Sequence, residues 1–278
     1  LVSVLGVVGF TTLNHAMNYE FDVALICTPP SSHLDIALRI AEAGCNLFIE
    51  KPLSNSLDKQ KITQLVYRMQ VNGLWGLMGQ SYRFCKSLRE FGKQFNDVIY
   101  GWINSGQYLP DWTPGKDHKE SIYASEKDGG IILTSLAHSI DQAQWLFGEI
   151  DNVSVLIGRS ESLDIIPPDT VTLLLELKHG GHAVIHNDFL QKPKNNRIGA
   201  IDQYGKTFIW DMTEEDIEPM YLAEMEHLVK CVEQRYAGQP DLAQGIVNLE
   251  FMEAVLRAEK TGWAQRIENF WKEATGRK

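Results

Sequence analysis

Three short apolar runs, separated by two segments with helical periodicity, constrain the fold more than any other feature of this chain. The runs are residues 21–27, Asn46–Glu50 and residues 74–79. Alternation of strand and helix predicts a parallel sheet with right-handed crossovers. Strands in such a sheet are buried on both faces, which explains why these runs are almost continuously apolar.

The residues at the carboxyl ends of the three runs are the first candidates for a ligand site. The carboxyl ends of parallel strands lie at one edge of the sheet, and ligands of open α/β sheets bind at that edge. An alternative interpretation is that they are ordinary polar turn residues. The segments in question are Thr28-Pro29-Pro30, Glu50-Lys51-Pro52 and Gln80-Ser81-Tyr82-Arg83.

A glycine-rich loop of the kind that holds a dinucleotide pyrophosphate is not found ahead of these strands. Residues 1–10 contain Gly6 and Gly9, but without the G-x-G-x-x-G spacing. Either the sequence begins late or lacks a stretch here, or the fold binds no dinucleotide. We favour the first interpretation, because the rest of the half-domain is intact.

The remaining two thirds of the chain change character and predict a second domain. A strand is expected over residues 97–106 and a helix from Gly129 and Gly130 to Phe147. Five strands that follow suggest an antiparallel meander, and two amphipathic helices end the chain. We therefore predict a partial Rossmann-type domain in residues 1–82 and an open, mainly antiparallel sheet domain with helices on one face in residues 83–278. The five strands are expected at residues 153–157, 171–177, 182–187, 197–203 and 207–211, and the two helices at residues 221–237 and 243–261.

The helix after Gly130 carries polar residues at helical spacing. Thr134, His138, Asp141 and Trp145 form one stripe beside the apolar stripe. A histidine in that position can face a cleft. The alternative is a half-buried histidine satisfied by Asp141 or by a backbone carbonyl.

Aromatic residues between the strand and this helix suggest sugar binding. Tyr108, Trp112 and Tyr123 can stack on a sugar ring, although Trp112 can equally anchor its own loop. We interpret the nearby lysines as solvated surface residues. His179, His182 and His186 flank a hairpin turn without an accompanying set of carboxylate or cysteine ligands, so no metal site is expected.

The composition limits the kinds of partner that the chain is expected to bind. A net charge of −10 opposes binding to nucleic acid or to anionic membrane surfaces. No apolar segment approaches the roughly 20 residues that a membrane-spanning helix needs. The four cysteines lack metal-ligand spacing and read as reduced thiols, which suits a cytoplasmic protein.

Several motifs together resemble the glucose-fructose oxidoreductase, inositol dehydrogenase and rhizopine-catabolism family (Gfo/Idh/MocA). The E-K-P turn combined with a downstream glycine pair and an H-x-x-D spacing is specific, whereas E-K-P alone is not. The resemblance covers nearly the whole chain. It is carried by LICTPPSSH (25–33), AGCNLFIEKPLS (43–54), MGQSYRF (78–84), GQYLPDW (106–112) and GGIILTSLAHSIDQAQWLFG (129–148).

The resemblance implies a dehydrogenase that binds NAD or NADP and acts on a secondary alcohol of a sugar, cyclitol or nucleotide-linked sugar. By matching positions, Lys51 and His138 are the catalytic pair between the two domains. Family habit also implies a homodimer or homotetramer through the open sheet face. The positions expected at the cofactor edge are Thr28, Pro29, Ser31, His33, Glu50, Lys51, Pro52 and Arg83; those expected around the substrate are Lys51, Tyr108, Trp112, Tyr123, Thr134, His138 and Asp141.

One further departure from the family pattern bears on the chemistry. The carboxylate that usually precedes the histidine by one turn is replaced by Thr134, or by Ser135 if the alignment shifts. We therefore predict a less basic His138, with Asp141 or Thr134 as candidate orienting groups, and a larger share of proton transfer for Lys51. Two other functions remain open: a regulatory or scaffolding relative that only binds cofactor, and a lyase or hydrolase that uses NAD transiently.

Overall fold

Three parallel strands and the two helices between them form the first part of the fold, in agreement with the alternation in the sequence. The computed structural model describes residues 6–262 and 264–267. The strands pair in the order β1-β2-β3, so that Ile26 lies beside Ile49 and Glu50 lies beside Gly79. The elements of this part are α1 (Leu13–Ala16), β1 (Val23–Ile26), α2 (His33–Glu42), β2 (Asn46–Glu50), α3 (Lys59–Val71) and β3 (Gly76–Gly79).

A seven-stranded, mainly antiparallel sheet forms most of the rest. Its elements are α4 (Lys86–Gly92), β4 (Val98–Gly106), α5 (Ala137–Phe147), β5 (Ile150–Gly158), β6 (Thr170–Leu177), β7 (His182–Asp188), β8 (Asn195–Asp202), β9 (Thr207–Asp211), α6 (Ile217–Gln234), α7 (Leu242–Thr261) and β10 (Gln265–Arg266). Helices α5 and α7 contact one face of this sheet.

The strand order corrects the predicted meander. The order is β10-β5-β6-β7-β4-β8-β9, and β4 lies between β7 and β8, parallel to β7. Strands β7 and β8 are joined by residues 189–194, and not by a tight turn, which leaves room for a strand from earlier in the chain. Turn residues predict only hairpins between strands that are neighbours in the chain. The sequence around β7 and β8 therefore does not indicate that β4 lies between them.

The predicted helix from Gly130 to Phe147 begins as a π-helical turn. Ile132–Leu136 is π-helical and Ala137–Phe147 is α-helical. Gly130 has a φ of +74°, a conformation that favours glycine. Hydrogen bonds from i to i+5 widen this turn, so the 3.6-residue stripe does not continue across residue 136.

The opposite face of the large sheet is open and partly apolar. Cross-strand neighbours place Leu174, Val184, Trp102, Gly199 and Ile209 in one row across five strands. Leu174 and Ile209 are each 56% exposed. The indole of Trp102 lies directly over Gly199, where a Cβ atom would meet the ring at 1.9 Å, so this glycine is needed for the ring to lie flat on the face.

The last long helix packs against both sheets. Leu242, Ile246 and Leu249 of α7 belong to the core beneath the parallel strands, and the Met78 amide donates to the Pro240 carbonyl at 2.9 Å. Phe251, Met252 and Val255 of the same helix belong to the core of the large sheet. The division of the chain after residue 82 therefore stays a proposal, since α7 contributes to both cores.

Candidate active site

The ends of the parallel strands and the start of the long α5 segment enclose one cavity of about 670 Å³. One wall follows the carboxyl ends of β1 and β2, and the facing wall comes from the π-helical turn, α5 and the loop after β4. The cavity thus joins residues that are far apart in the chain. The predicted site residues that line it are Thr28, Glu50, Lys51, Pro52, Trp112, Tyr123, Thr134 and His138.

Lys51 crosses from the strand edge to the other wall. It follows β2 directly, and its Nζ donates a hydrogen bond to the Thr134 carbonyl at 3.1 Å. Burial lowers the pKa of Lys51, and the charge of neighbouring Glu50 offsets part of that shift. An amine with a lowered pKa exchanges its proton more readily near neutral pH.

His138 lies near Lys51 but has no fixed orienting partner. Burial and the charge of Lys51 hold the pKa of His138 well below its usual range, so the imidazole is neutral at physiological pH. The causes of this lowered pKa are burial and Lys51, so the predicted effect of the missing carboxylate stays a prediction. The ring packs edge-on against Tyr82 at 4.9 Å, and its Nδ1 is buried without a hydrogen-bond partner among the described residues.

The two groups expected to orient His138 are bound elsewhere. The Thr134 hydroxyl donates to the Gly130 carbonyl at 2.6 Å. The Asp141 carboxylate accepts two hydrogen bonds from Arg83, both at 2.8 Å, and one from Asn248 at 2.9 Å. Both orienting assignments are therefore corrected, because the Gly130 carbonyl already binds the Thr134 hydroxyl, and Arg83 and Asn248 already bind the Asp141 carboxylate.

The same ion pair corrects two other predictions. Arg83 was expected at the cofactor edge and Asp141 at the substrate, but neither lines the cavity. Their side chains are 16% and 2% exposed, and the guanidinium also lies 5.6 Å from the Trp145 ring. The pair is an internal tie between the end of the parallel sheet and the helix that carries His138.

His33 and Tyr108 also lie outside the cavity wall. His33 is 1% exposed, and its ring nitrogens lie 2.6 Å from the Thr28 carbonyl and 2.9 Å from the Pro52 carbonyl. The imidazole therefore connects the two turns, and its cofactor role stays a prediction. Tyr108 packs under the ammonium of Lys192 at 4.0 Å.

Pro29 and Ser31 are likewise absent from the wall, and their cofactor role stays a prediction. Ser31 has a partner from the other domain. Its amide and hydroxyl donate to the Asp128 carboxylate at 2.7 Å and 2.9 Å. This contact joins the turn after β1 to the segment just before Gly130.

The loop that carries Trp112 shows one of its two predicted roles, loop anchoring, while sugar stacking stays a prediction. The Trp112 indole donates to the Gln107 carbonyl at 3.2 Å and packs edge-on against Tyr123 at 4.5 Å, so Trp112 anchors the loop. Both rings also line the cavity. A sugar ring entering there would meet aromatic surface.

Sequence patterns also missed a buried acid that lies outside the cavity wall but interacts electrostatically with Glu50 on that wall. Glu224 of α6 is 2% exposed, and it accepts a hydrogen bond from the Gln80 backbone amide while Oε1 has no partner among the described residues. Burial and the charge of Glu50 raise the pKa of Glu224 to about 8. The acid lies in an amphipathic helix, where a glutamate is normally solvent-exposed. The sequence around Glu224 therefore does not predict that it is buried.

Replacing Glu224 by glutamine should stabilise the protein increasingly as pH rises. Below the unfolded-state pKa of about 4.5 both states hold the proton, so Glu224 contributes nothing there. Above it the unfolded state ionises freely while the folded state keeps the proton. The resulting penalty grows until about pH 8 and amounts to roughly 3 kcal/mol between pH 5 and pH 8. Glutamine removes the penalty and retains an acceptor for the Gln80 amide.

Urea unfolding at pH 5 and pH 8 measures this difference. The Glu224→Gln variant should lose less stability than the wild type over that interval. Glu226→Gln on the same helix, at a position that is not buried, serves as the matched control and should behave as the wild type does. Equal pH slopes for wild type and Glu224→Gln would show that Glu224 is ionised in the folded state.

The histidines of the second sheet do not form a metal centre in the described part of the chain. His179 Nε2 lies 2.7 Å from the Val98 carbonyl, and His186 lies between Thr172 and Asp188. Among residues 6–262 and 264–267, no group of three or more histidine, cysteine, aspartate or glutamate side chains is placed to hold a metal ion. Within the same residues, no helix has the length and apolarity required to cross a bilayer.

Comparison with known proteins identifies two regions by family models. Residues 2–73 match the model described as "Oxidoreductase family, NAD-binding Rossmann fold". Residues 94–203 match the model described as "GFO/IDH/MocA C-terminal domain". The two matches are consecutive and belong to one family.

Individual relatives extend over most of the chain. The inositol 2-dehydrogenase of Rhizobium meliloti (strain 1021) is 22% identical in an alignment 266 positions long that covers 86% of this chain and 78% of that protein. Other curated relatives are matched over about half of their length.

Solved structures share the fold. GenD2 from gentamicin A biosynthesis, in complex with NAD, superposes with a TM-score of 0.83 at 15% identity, covering 96% of this chain and 84% of that one. The WlbA dehydrogenase from Bordetella pertussis, in complex with NADH and UDP-GlcNAcA, gives 0.77 at 17% identity, with coverages of 96% and 86%.

Proposed function

Because the chain belongs to the Gfo/Idh/MocA family of oxidoreductases, we propose that it is an NAD(P)-dependent dehydrogenase or reductase. Its substrate is a sugar, cyclitol or nucleotide-sugar-like molecule with a secondary alcohol that is oxidised, or the corresponding ketone that is reduced. The observation that carries the proposal is that Lys51 and His138, from separate domains, line one cavity and interact electrostatically.

The wall at the carboxyl ends of β1 and β2, here called the strand-edge wall, suits the nicotinamide end of the cofactor. Thr28, Pro30, Glu50 and Pro52 line the cavity there, and the acidic side chain of Glu50 would favour the positive charge of an oxidised nicotinamide. When bound, the cofactor accepts or supplies the hydride. The residues opposite this wall are left to hold the substrate.

Proton transfer falls to Lys51. Oxidation of a secondary alcohol to a carbonyl releases the hydroxyl proton, and the neutral amine of Lys51 accepts it at Nζ. The lowered pKa of Lys51 makes the neutral form accessible. His138, being neutral, accepts or donates one hydrogen bond to the reacting or the adjacent hydroxyl. In the reducing direction the same proton returns from Lys51.

A substrate panel tests the proposal. Purified chain is mixed with NAD or NADP and with inositols, aldoses and uridine-diphosphate sugars, and the absorbance of reduced nicotinamide is followed. We expect reduction with at least one compound and one preferred cofactor. Product without net cofactor reduction would support the lyase or hydrolase alternative. Tight cofactor binding without any spectral change would support a regulatory relative.

Assembly and location complete the proposal. The exposed apolar row that contains Leu174, Trp102 and Ile209 supports a homodimer or homotetramer through the open sheet face. Light scattering of the chain in solution measures the subunit number. All four cysteines are free thiols, which supports a reducing compartment such as the cytoplasm.

A further inference from the structure

Gln142 is a buried polar residue on the cavity wall that the proposed chemistry does not use. It lies on α5 four residues after His138, so both side chains leave the same face of the helix. Gln142 is 2% exposed and lines the cavity. Its Nε2 has no hydrogen-bond partner among the described residues.

A buried amide without a partner destabilises the folded protein, because the group loses water and gains nothing in return. Such a group in a native protein calls for an explanation, and an absent ligand is one. The terminal amide of glutamine rotates about a broad torsion, so a small rotation turns the nitrogen toward a group in the cavity. Gln142 is therefore placed to donate a hydrogen bond to a bound molecule.

Asn196 provides the complementary acceptor on the same cavity. It lies on β8 and is 9% exposed. Its Nδ2 donates to the Tyr82 hydroxyl at 2.6 Å, which fixes the orientation of the amide and leaves Oδ1 without a partner among the described residues. Tyr82 in turn packs against His138, so the same tyrosine contacts both this amide and the candidate catalytic histidine.

One donor and one acceptor, both unpaired and both on one cavity, match hydroxyl groups. A hydroxyl both donates and accepts, whereas a carboxylate or phosphate only accepts and would leave Asn196 Oδ1 unsatisfied. We infer that Gln142 and Asn196 are specificity-determining residues that bind the substrate hydroxyls flanking the carbon that reacts beside Lys51 and His138. This inference rests on the proposed function and selects substrates that carry hydroxyls on both sides of that carbon.

The experiment compares Gln142→Met with Gln144→Met, since methionine keeps the volume and removes the amide. Gln144 lies two residues further on the same helix, and its Nε2 donates to Asn248 at 2.7 Å, away from the cavity wall. Each variant is assayed with the best polyol of the panel, here myo-inositol, scyllo-inositol or D-glucose, and with its monodeoxy analogues. Urea unfolding midpoints are measured without substrate.

Gln142→Met should lower kcat/KM for the polyol by about 10-fold and should lose the preference for the polyol over one monodeoxy analogue. Its unfolding midpoint should equal or exceed that of the wild type, because a group without a partner has been removed. Gln144→Met should show a lower midpoint and an unchanged preference. An unchanged preference in Gln142→Met, or a midpoint that falls as in Gln144→Met, would overturn the inference.

The two proposals fail in different ways. If the wild-type chain oxidises no compound of the panel, the proposed function is not supported. The unfolding midpoints then decide the inference alone: a midpoint of Gln142→Met below that of the wild type overturns it, and an equal or higher midpoint supports a ligand-binding rather than a structural role.

Discussion

Replacing Lys51 with alanine should lower kcat for hydride transfer by about 10²- to 10⁴-fold, the range that a positioned general base contributes. The residue lines the cavity with His138, its Nζ contacts the Thr134 carbonyl, and burial lowers its pKa. Burial, the larger cause of the lowered pKa of His138, remains when the charge of Lys51 is removed, so His138 is a weak replacement for the lysine as base. Cofactor affinity should change far less than turnover, because the strand-edge wall remains.

Three measurements separate proton transfer from other effects of the substitution. Lys51→Arg keeps the charge but cannot release its proton near neutral pH, so its turnover should fall as far as that of the alanine variant. The acid limb of the wild-type pH profile for oxidation, where activity rises as the amine loses its proton, should be absent from both variants. Lys61→Ala, which removes an exposed ammonium paired with Asp35, should behave as the wild type does. Intact turnover in Lys51→Ala would end the assignment.

Replacing Asp141 with leucine should destabilise the protein by about 3 to 5 kcal/mol, because Arg83 would keep a buried charge without its partner. The Asp141 carboxylate is 2% exposed and receives hydrogen bonds from Arg83 and Asn248. Since Asp141 is three residues after His138, this tie also fixes the helix that carries the histidine relative to the end of the parallel sheet. Loss of stability should therefore be accompanied by a looser active site.

Unfolding by denaturant of a double-mutant cycle tests this explanation. Arg83→Met should cost a similar amount to Asp141→Leu, and the double variant should recover much of the loss because no unpaired charge remains. Lys93→Met removes one partner of the exposed pair with Glu90 and should change stability by less than about 1 kcal/mol. Additive losses in the double variant would mean that Arg83 and Asp141 stabilise the fold independently.

Local patterns were sufficient for much of the secondary structure. The bounds of β2 and β9 agree with the sequence prediction to the residue, since each is a short run of strand-forming residues limited by turn or polar residues. The last helix agrees to within one residue. The order of the strands in the large sheet could not be obtained in this way, because the pairing of β4 with β7 and β8 joins segments about 80 to 100 residues apart.

The residues of the candidate site show the same contrast between what local patterns predict and what long-range packing decides. Lys51, Glu50 and Thr28 follow predicted strands, so the topology of a parallel sheet is enough to bring them to one edge. Arg83 and Asp141 were misassigned because a charged residue near a site reads as a ligand group until its partner is known. Gln142 and Asn196 were missed because a polar residue within a helix or strand is normally interpreted as solvated, and the buried Glu224 outside the cavity wall was missed for the same reason.

Sequence alone determined the alternation of strands and helices and the edge at which Lys51 lies, because periodicity and turn chemistry act between neighbours in the chain. The family was indicated separately, by the resemblance of several motifs. Tertiary structure alone decided which polar groups are paired. Burial and hydrogen bonding depend on what distant segments bring together, so only the packed molecule shows that Arg83 satisfies Asp141 while His138 Nδ1 and Gln142 Nε2 have no partner among the described residues.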